Sequence, residues 1–300
     1  PLDRTAALYG ASVLQMAQAP LGLWHLQGSM QTLSNDLTTA LIRNGAQILL
    51  RHRVVGLEVL EQGRRWQVSI KAPNRKALAL SSSNVVCSLP PQCLNWLMPP
   101  GTGMPKAYRQ RLTQLPKPSG ALVFYGAIDR SALADNCPVH LQKAANLPGS
   151  LFLSISREGD GRAPAGQATL IASVFTATEH WFELTEAAYQ ERKQNALLEI
   201  RQTLESWLGL APEHWRHQEL ATPKSFATWT GRPMGIVGGL GQHPSQFGPF
   251  GLASRTPIQG LWLCGDSIHP GEGTAGVGLS ALMACRQLMA HRGHQLRVAA

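Results

Sequence analysis

The residues best suited by type and spacing to do chemistry lie near the end of the 300-residue chain. In "GLWLCGDSIHPGEGTAGVGLSALMACRQLMA", Gly260 to Ala290, a short apolar run leads to Asp266, followed by His269, Glu272 and the glycines Gly271, Gly273 and Gly276. The apolar run reads as a strand ending at Gly265, and the residues after the loop read as a helix. A carboxylate at a strand end is a hydrogen-bond acceptor. Glycines let a backbone come close to a ligand. The unpaired N–H groups expected to open the helix, at Ala275, Gly276 and Val277, favour a negative group. The glycines spell G-x-G-x-x-G, but a dinucleotide fingerprint needs a second strand and an acidic residue about 20 positions on. Only ten residues follow Ala290. The spacing thus leaves open what else needs a strand, a glycine loop and a helix as its last elements. Singly, each residue also has a plainer role. Asp266 reads as a turn former, His269 as fixed in a tight loop by Pro270, and Glu272 as a solvated loop residue.

Other constellations of chemistry are missing from the sequence. There is no H-E-x-x-H, no Ser-His-Asp order and no paired carboxylates. The five cysteines, Cys87, Cys93, Cys137, Cys264 and Cys285, form no C-x-x-C, so they read as buried thiols in a reducing compartment, with no metal site and no disulfide framework. His291 and His294 read as solvated residues of a tail.

The elements that must position the loop are legible in part. Met30, Leu33, Leu37, Ala40 and Leu41 recur at helical spacing and Asn44-Gly45 supplies a stop, which predicts a helix over 30–43. "AQILLRHRVVGLEVLEQ" and "RRWQVSIKA" read as strands joined by a Gln62-Gly63 turn, and "LALSSSNVVCSLP" as a return strand ending at Pro90-Pro91. From Gln92 to Arg255 the texture changes. "ALVFYGAIDR", "SLFLSISREG" and "ATLIASVFT" read as antiparallel strands, and Ala188, Ala196, Leu197, Ile200, Leu204 and Leu208 mark an amphipathic helix. A second domain is therefore expected inside the first. The final helix is expected to bury Leu282, Cys285, Leu288 and Met289.

With 44% apolar and 15% charged residues the chain is globular. The net charge of +9 is scattered rather than gathered into a basic stripe with aromatics, which argues against nucleic acid and is compatible with anionic lipid headgroups. No run of 18 apolar residues predicts a spanning helix. The opening "PLDRTAALYGASVLQMAQAP" reads as helix interior, which predicts a piece of a longer protein.

The block "GLWLCGDSIHPGEGTAGVGLSAL" resembles the C-terminal flavin-binding signature of the FAD-dependent carotenoid desaturase and isomerase family, within the amine-oxidase-like flavoproteins. With His269 and Glu272 it is most similar to the cyanobacterial C-3',4' desaturase branch. "GSMQTLSNDLTTAL", "RVVGLEV" and "TPKSFATWTGRPMGIVGG" extend the resemblance along the chain. Gln27-Gly28-Ser29-Met30 departs from the usual Gly-Gly-Met entry, and the family's N-terminal G-x-G-x-x-G and following Glu are not in these residues.

The resemblance implies an α/β fold. It consists of a Rossmann-like FAD-binding domain without its N-terminal dinucleotide half, and an inserted α+β, mixed-sheet substrate domain. The expected segments are 1–27 in the substrate domain, 28–91 in the FAD domain, 92–254 in the substrate domain and 255–300 in the FAD domain. It implies FAD held by Val54, Gly265, Asp266, Gly273, Ala275, Gly276 and Val277, with His269 a candidate catalytic group. Gly238 and Gly239 are expected either to lie near the isoalloxazine or to form a loop without ligand contact. The implied reaction passes hydride from a saturated C–C unit of a carotenoid to FAD, with quinone or oxygen as final acceptor. A carotenoid isomerase and a non-catalytic fragment are the alternatives. An amine oxidase lysine cannot be assigned, because Lys224 sits too close to Asp266 in sequence. A bilayer-resident substrate implies peripheral attachment to the cytoplasmic side of a bacterial inner or thylakoid membrane. "CLNWLMPPG" offers Leu94, Trp96, Leu97 and Met98 either as an insertion element or as a core helix.

Overall fold

A computed structural model describes residues 6–11, 26–61, 65–116, 119–144 and 149–296. The Gln62-Gly63 turn lies outside the described residues. The chain forms two compact units, one of residues 1–20, 49–118 and 238–300, the other of residues 21–48 and 119–237. These divisions differ from the expected 27/28, 91/92 and 254/255. The reason at the N-terminus is specific: the Ala6 amide donates to the Gln242 carbonyl at 2.7 Å, and Tyr9 bonds to Glu272.

In the second unit, helix α1, Met30–Arg43, begins where expected. Its N-cap is Ser29, whose Oγ accepts from the Gln31 amide at 3.1 Å, and Asn44 closes its other end through Nδ2 on the Ala40 carbonyl at 2.8 Å. None of its residues is buried.

The first unit follows with β1 (Arg53–Leu60), β2 (Arg65–Lys71) and β3 (Ala77–Ser82), an antiparallel meander in the order β1-β2-β3. Strand β1 starts later than "AQILLRHR" suggests. Leu49 and Leu50 are exposed and pair with no strand, and an extended run without a ladder partner gains nothing from its β-branched neighbours. Strand β4, Val85–Cys87, joins the last strand of the chain further on. Helix α2, Leu94–Leu97, and α3, Lys106–Thr113, cover this unit's core. Leu94, Leu97 and Met98 are wholly buried with Trp66 and Leu112, and only Trp96 is exposed. Of the two readings of this segment, a core helix is the one its burial supports: three of its four apolar side chains are in the protein core.

The second unit continues with β5 (Ser119–Asp129), β6 (His140–Ala144), β7 (Ser150–Ile155) and β8 (Gln167–Ala177). Then come α4 (Glu179–Phe182), α5 (Glu186–Leu208), β9 (Trp215–Ala221) and α6 (Pro223–Thr230). Its five strands run in the order β6-β7-β8-β5-β9, and every pair is antiparallel. Alternation sorts the faces. Leu122, Phe124, Leu151, Leu153, Leu170 and Val174 meet Ile200 and Leu204 of α5 in one core, while Tyr125, Phe152, Ile171 and Phe175 stand exposed on the other face.

The first unit ends with β10, Leu261–Leu263, and α7, Gly273–His291. Strand β10 runs parallel to β4, with Leu261 opposite Val85 and Leu263 opposite Cys87, so residues far apart in sequence deliver the loop after Leu263. The expected buried stripe of α7 is corrected. Ser280 and Ala284 are its buried residues, while Leu282 and Cys285 are exposed. Small side chains permit close approach of helix to strand.

Candidate functional site

The loop between β10 and α7 is shaped by contacts with almost no side chain between them. The Cys264 amide continues the ladder onto the Cys87 carbonyl at 3.0 Å. The Gly265 amide, at φ +110°, donates to Oγ of Ser280 at 3.1 Å. Ser280 is fully buried on the inner face of α7, so it ties the helix to the strand end. The Ser267 hydroxyl donates to Oδ1 of Asp266 at 3.2 Å, and Asp266 is half-buried.

Two glycines of this region are held by close backbone crossings. A Cβ on Gly239, at φ +72°, would stand 2.3 Å from the Asp266 carbonyl oxygen. A Cβ on Gly276 would stand 2.6 Å from the Gly271 carbonyl oxygen. Both are sites where the chain crosses itself too closely for a side chain. Gly273 differs: it is exposed, at φ +84°, and nothing lies within 4 Å of its missing Cβ.

Helix α7 starts at Gly273, with Glu272 as N-cap. Helical geometry leaves the amides of Glu272, Gly273, Thr274 and Ala275 outside the ladder, whereas Gly276 and Val277 fall within it. The expectation that Ala275, Gly276 and Val277 open the helix is corrected by this earlier start, and Ala275 is the one of the three that remains. Thr274 went unnoticed in the sequence because the helix start was placed too late.

His269 is exposed, follows Ile268 into a cis peptide with Pro270, and turns its ring edge-on to Phe247 at 6.4 Å between centroids. A small cleft beside it is walled by Leu240, Gln242, Phe247, Leu252 and the residues from Asp266 to Gly271. Phe247 was not singled out from sequence, where "HPSQFGPFG" offers no periodicity. Glu272 is corrected from a solvated residue: it is half-buried and accepts from the Tyr9 hydroxyl. Burial pushes its carboxyl above the ordinary value, the Tyr9 hydrogen bond pulls it down, and the Asp266 charge pushes it up again. Burial and the Glu272 carboxylate raise the Tyr9 phenol.

Val54 lies on β1 beside a register shift between Val54 and Gly56, opposite Ile70, with its side chain half-buried against the core. The fold thus brings Gly265, Asp266, His269, Gly273 and Ala275 into one loop and helix start, and leaves Val54 on the meander. Among the described residues no group of three or more His, Cys, Asp or Glu is placed to hold a metal ion. No helix among them is long and apolar enough to cross a membrane. The arrangement suits an anionic, hydroxyl-bearing ligand, with free amides for the anion and a carboxylate for the hydroxyls.

No family model matches the chain. It is 32% identical over 149 residues to a prolycopene isomerase of Daucus carota, a match covering 48% of this chain and 24% of that protein. To the Arabidopsis thaliana prolycopene isomerase it is 31% identical over 149 residues, covering 48% of this chain and 25% of that protein. Among solved structures, a redesigned putrescine oxidase variant matches with TM-score 0.57 at 18% identity, over 89% of this chain and 53% of that one. Cyclohexylamine oxidase from Brevibacterium oxydans matches with TM-score 0.53 at 16% identity, over 84% of this chain and 50% of that one. The matched stretch thus spans about a quarter of the length of the curated relatives, and the chain about half the length of the oxidases.

Proposed function

We propose that this chain, which has the fold of the amine-oxidase-type FAD-dependent oxidoreductases and is homologous to the prolycopene isomerases over about half its length, is the C-terminal part of a flavoenzyme that acts on a carotenoid. The observation that carries the reading is the loop from Gly265 to Gly273. It ends in an exposed helix N-terminus and holds the half-buried Asp266 beside it. These residues fit FAD: the amides of Gly273 to Ala275 would face a negatively charged part of the cofactor, and Asp266 would accept its hydroxyls. When bound, FAD supplies a two-electron hydride acceptor. The protein's share is to orient it, exclude water and present the substrate. Tyr125, Phe152, Ile171 and Phe175 form an exposed apolar face on the second unit's sheet. Covering such a face with a polyene gains about 25 cal/mol for each Å² of apolar surface removed from water.

The finer reading is C-3',4' desaturation, supported by His269 and Glu272 in the terminal block. Isomerisation is the second reading, favoured by the activity in the names of the curated relatives. A bilayer-resident substrate, peripheral attachment on the cytoplasmic side of the membrane, and quinone or oxygen as acceptor belong to the same proposal. The test is to supply the longer protein with liposome-bound carotenoid and FAD. A product absorbing at longer wavelength supports desaturation, and a change in cis content alone supports isomerisation. An unchanged carotenoid with flavin bound overturns the substrate, and a colourless protein overturns the cofactor.

A further inference from the structure

Glu272 stands at the N-cap of α7, yet its side chain makes no bond to the amides of the helix it caps. An acidic side chain at such a position is drawn to those amides and to the positive end of the helix. Here the carboxyl is turned instead to the Tyr9 hydroxyl, 263 residues away in sequence. Residues 7–11 form a helical turn that is itself anchored to the walls of the loop. The Ala6 amide donates to the Gln242 carbonyl at 2.7 Å. The Gln242 side chain lies 3.2 Å from where Gly271 would carry a Cβ. The Tyr9 ring stands edge-on to Phe247 at 5.8 Å, and Phe247 stands edge-on to His269 at 6.4 Å.

We propose that Tyr9 is a positioning residue for Glu272: its hydroxyl holds the carboxyl away from the start of α7 and so leaves the amides of Gly273 to Ala275 open to an anionic group of the cofactor. The inference rests on the reading of this loop as a cofactor site. Released from Tyr9, the carboxylate would compete for the same amides and repel the incoming negative charge. Both effects lower affinity; without a charge on residue 272 the repulsion vanishes and the competition weakens. The groups that act on the Glu272 carboxyl are Tyr9 and Asp266, and the His269 ring on the same loop is engaged by Phe247.

The test follows the labelled longer protein by NMR, reading the Gly273 to Ala275 amides as FAD is added. Millimolar FAD brings even weak binding within range. Tyr9→Phe is expected to weaken binding by roughly threefold to tenfold, the size of a charge effect at a helix terminus. Adding Glu272→Gln to that variant is expected to restore the wild-type affinity, which a merely structural role of Tyr9 would not do. Wild-type affinity in Tyr9→Phe, or a double variant as weak as the single one, overturns the proposal. A second reading needs no cofactor: without its hydrogen bond from Tyr9, the Glu272 carboxyl should titrate at higher pH in Tyr9→Phe. An unmoved titration overturns the contact itself. A moved titration with amides that never respond to FAD overturns the cofactor reading and the purpose assigned to Tyr9 while the contact stands, so the two failures are separable.

Discussion

Replacing Gly239 with alanine tests whether the candidate site depends on two backbone segments touching. The residue sits at φ +72°, and its new Cβ would lie 2.3 Å from the Asp266 carbonyl oxygen, 2.6 Å from the carbonyl carbon and 2.9 Å from the Ser267 amide nitrogen. A carbon and a carbonyl oxygen come no closer than about 3.3 Å, so one strand of the crossing must retreat by about 1 Å. Left-handed backbone costs an alanine about 1–2 kcal/mol, and forcing atoms into a packed site costs about 1–3 kcal/mol more. Stiffening the unfolded chain returns about 0.4–1 kcal/mol. The net loss is about 1–5 kcal/mol, or roughly 3 to 15 °C of melting temperature at this size. Where the Asp266 segment is the one that gives way, flavin occupancy should fall even though the protein stays folded. Gly241→Ala is the matched control, two residues on, with nothing within 4 Å of the added methyl. Circular dichroism melts and flavin absorbance at limiting FAD read the two effects. If Gly239→Ala melts and binds flavin like Gly241→Ala, the crossing does not hold Asp266 and the reasoning fails.

Asp266→Ala in the longer protein should weaken FAD by roughly tenfold to a hundredfold, since ligand hydroxyls lose an acceptor worth about 1–3 kcal/mol. Unchanged occupancy at limiting FAD removes Asp266 from the site. These 300 residues alone should bind FAD weakly, and a sub-micromolar affinity by titration would contradict the reading that they are part of a larger cofactor site. Acid should destabilise the second unit through Asp160. Burial raises this carboxyl, but hydrogen bonds from the Arg162 side chain and from the Arg157 and Arg162 amides outweigh it and hold it near 2, below the ordinary 3.8. Its contribution is therefore complete above about pH 4 and lost as pH falls toward 2. Asp160→Asn should flatten that part of the urea-denaturation profile. Glu272 has the opposite sign: its raised value means the folded chain holds the proton more tightly, so stability should fall as pH rises above the ordinary glutamate range, and Glu272→Gln should remove that fall.

What could be read from the sequence was what depends on local pattern. Helix α1 was legible because Met30, Leu33, Leu37, Ala40 and Leu41 recur at helical spacing and Asn44-Gly45 is a local stop signal. The strands of the second unit were legible because their alternation is strong. Asp266 could be singled out because the residues around it spell a dense motif. What escaped is what distant segments do to one another. No periodicity links Tyr9 to Glu272, or Gly239 to Asp266, since each pair is made by chain segments that meet only after folding. Ser280 was passed over for the same reason. A serine in an apolar helix reads as a minor polar interruption until the Gly265 amide is seen to need an acceptor. "CLNWLMPPG" illustrates the limit from the other side, because apolar residues look alike whether they await a membrane or a core, and here Leu94, Leu97 and Met98 found the core.

The glycines of the terminal block can be sorted by what a side chain at each would strike, and the sorting separates two jobs that the motif merges. Gly276 is closed by the Gly271 carbonyl, and Gly239, outside the motif, by that of Asp266. At these positions glycine sets the shape of the loop, and substitution should act first through the fold. Gly271 is closed only by the flexible end of the Gln242 side chain at 3.2 Å, so its positive φ of +118° is the stronger constraint. Gly273 faces open space at the exposed start of α7. A residue with no neighbour to avoid can still be required to be small by something that arrives later. An alanine there meets no protein atom and suffers only its left-handed backbone, about 1–2 kcal/mol. Any loss of flavin beyond what the Gly273→Ala melt explains would then measure how closely the cofactor approaches that helix end.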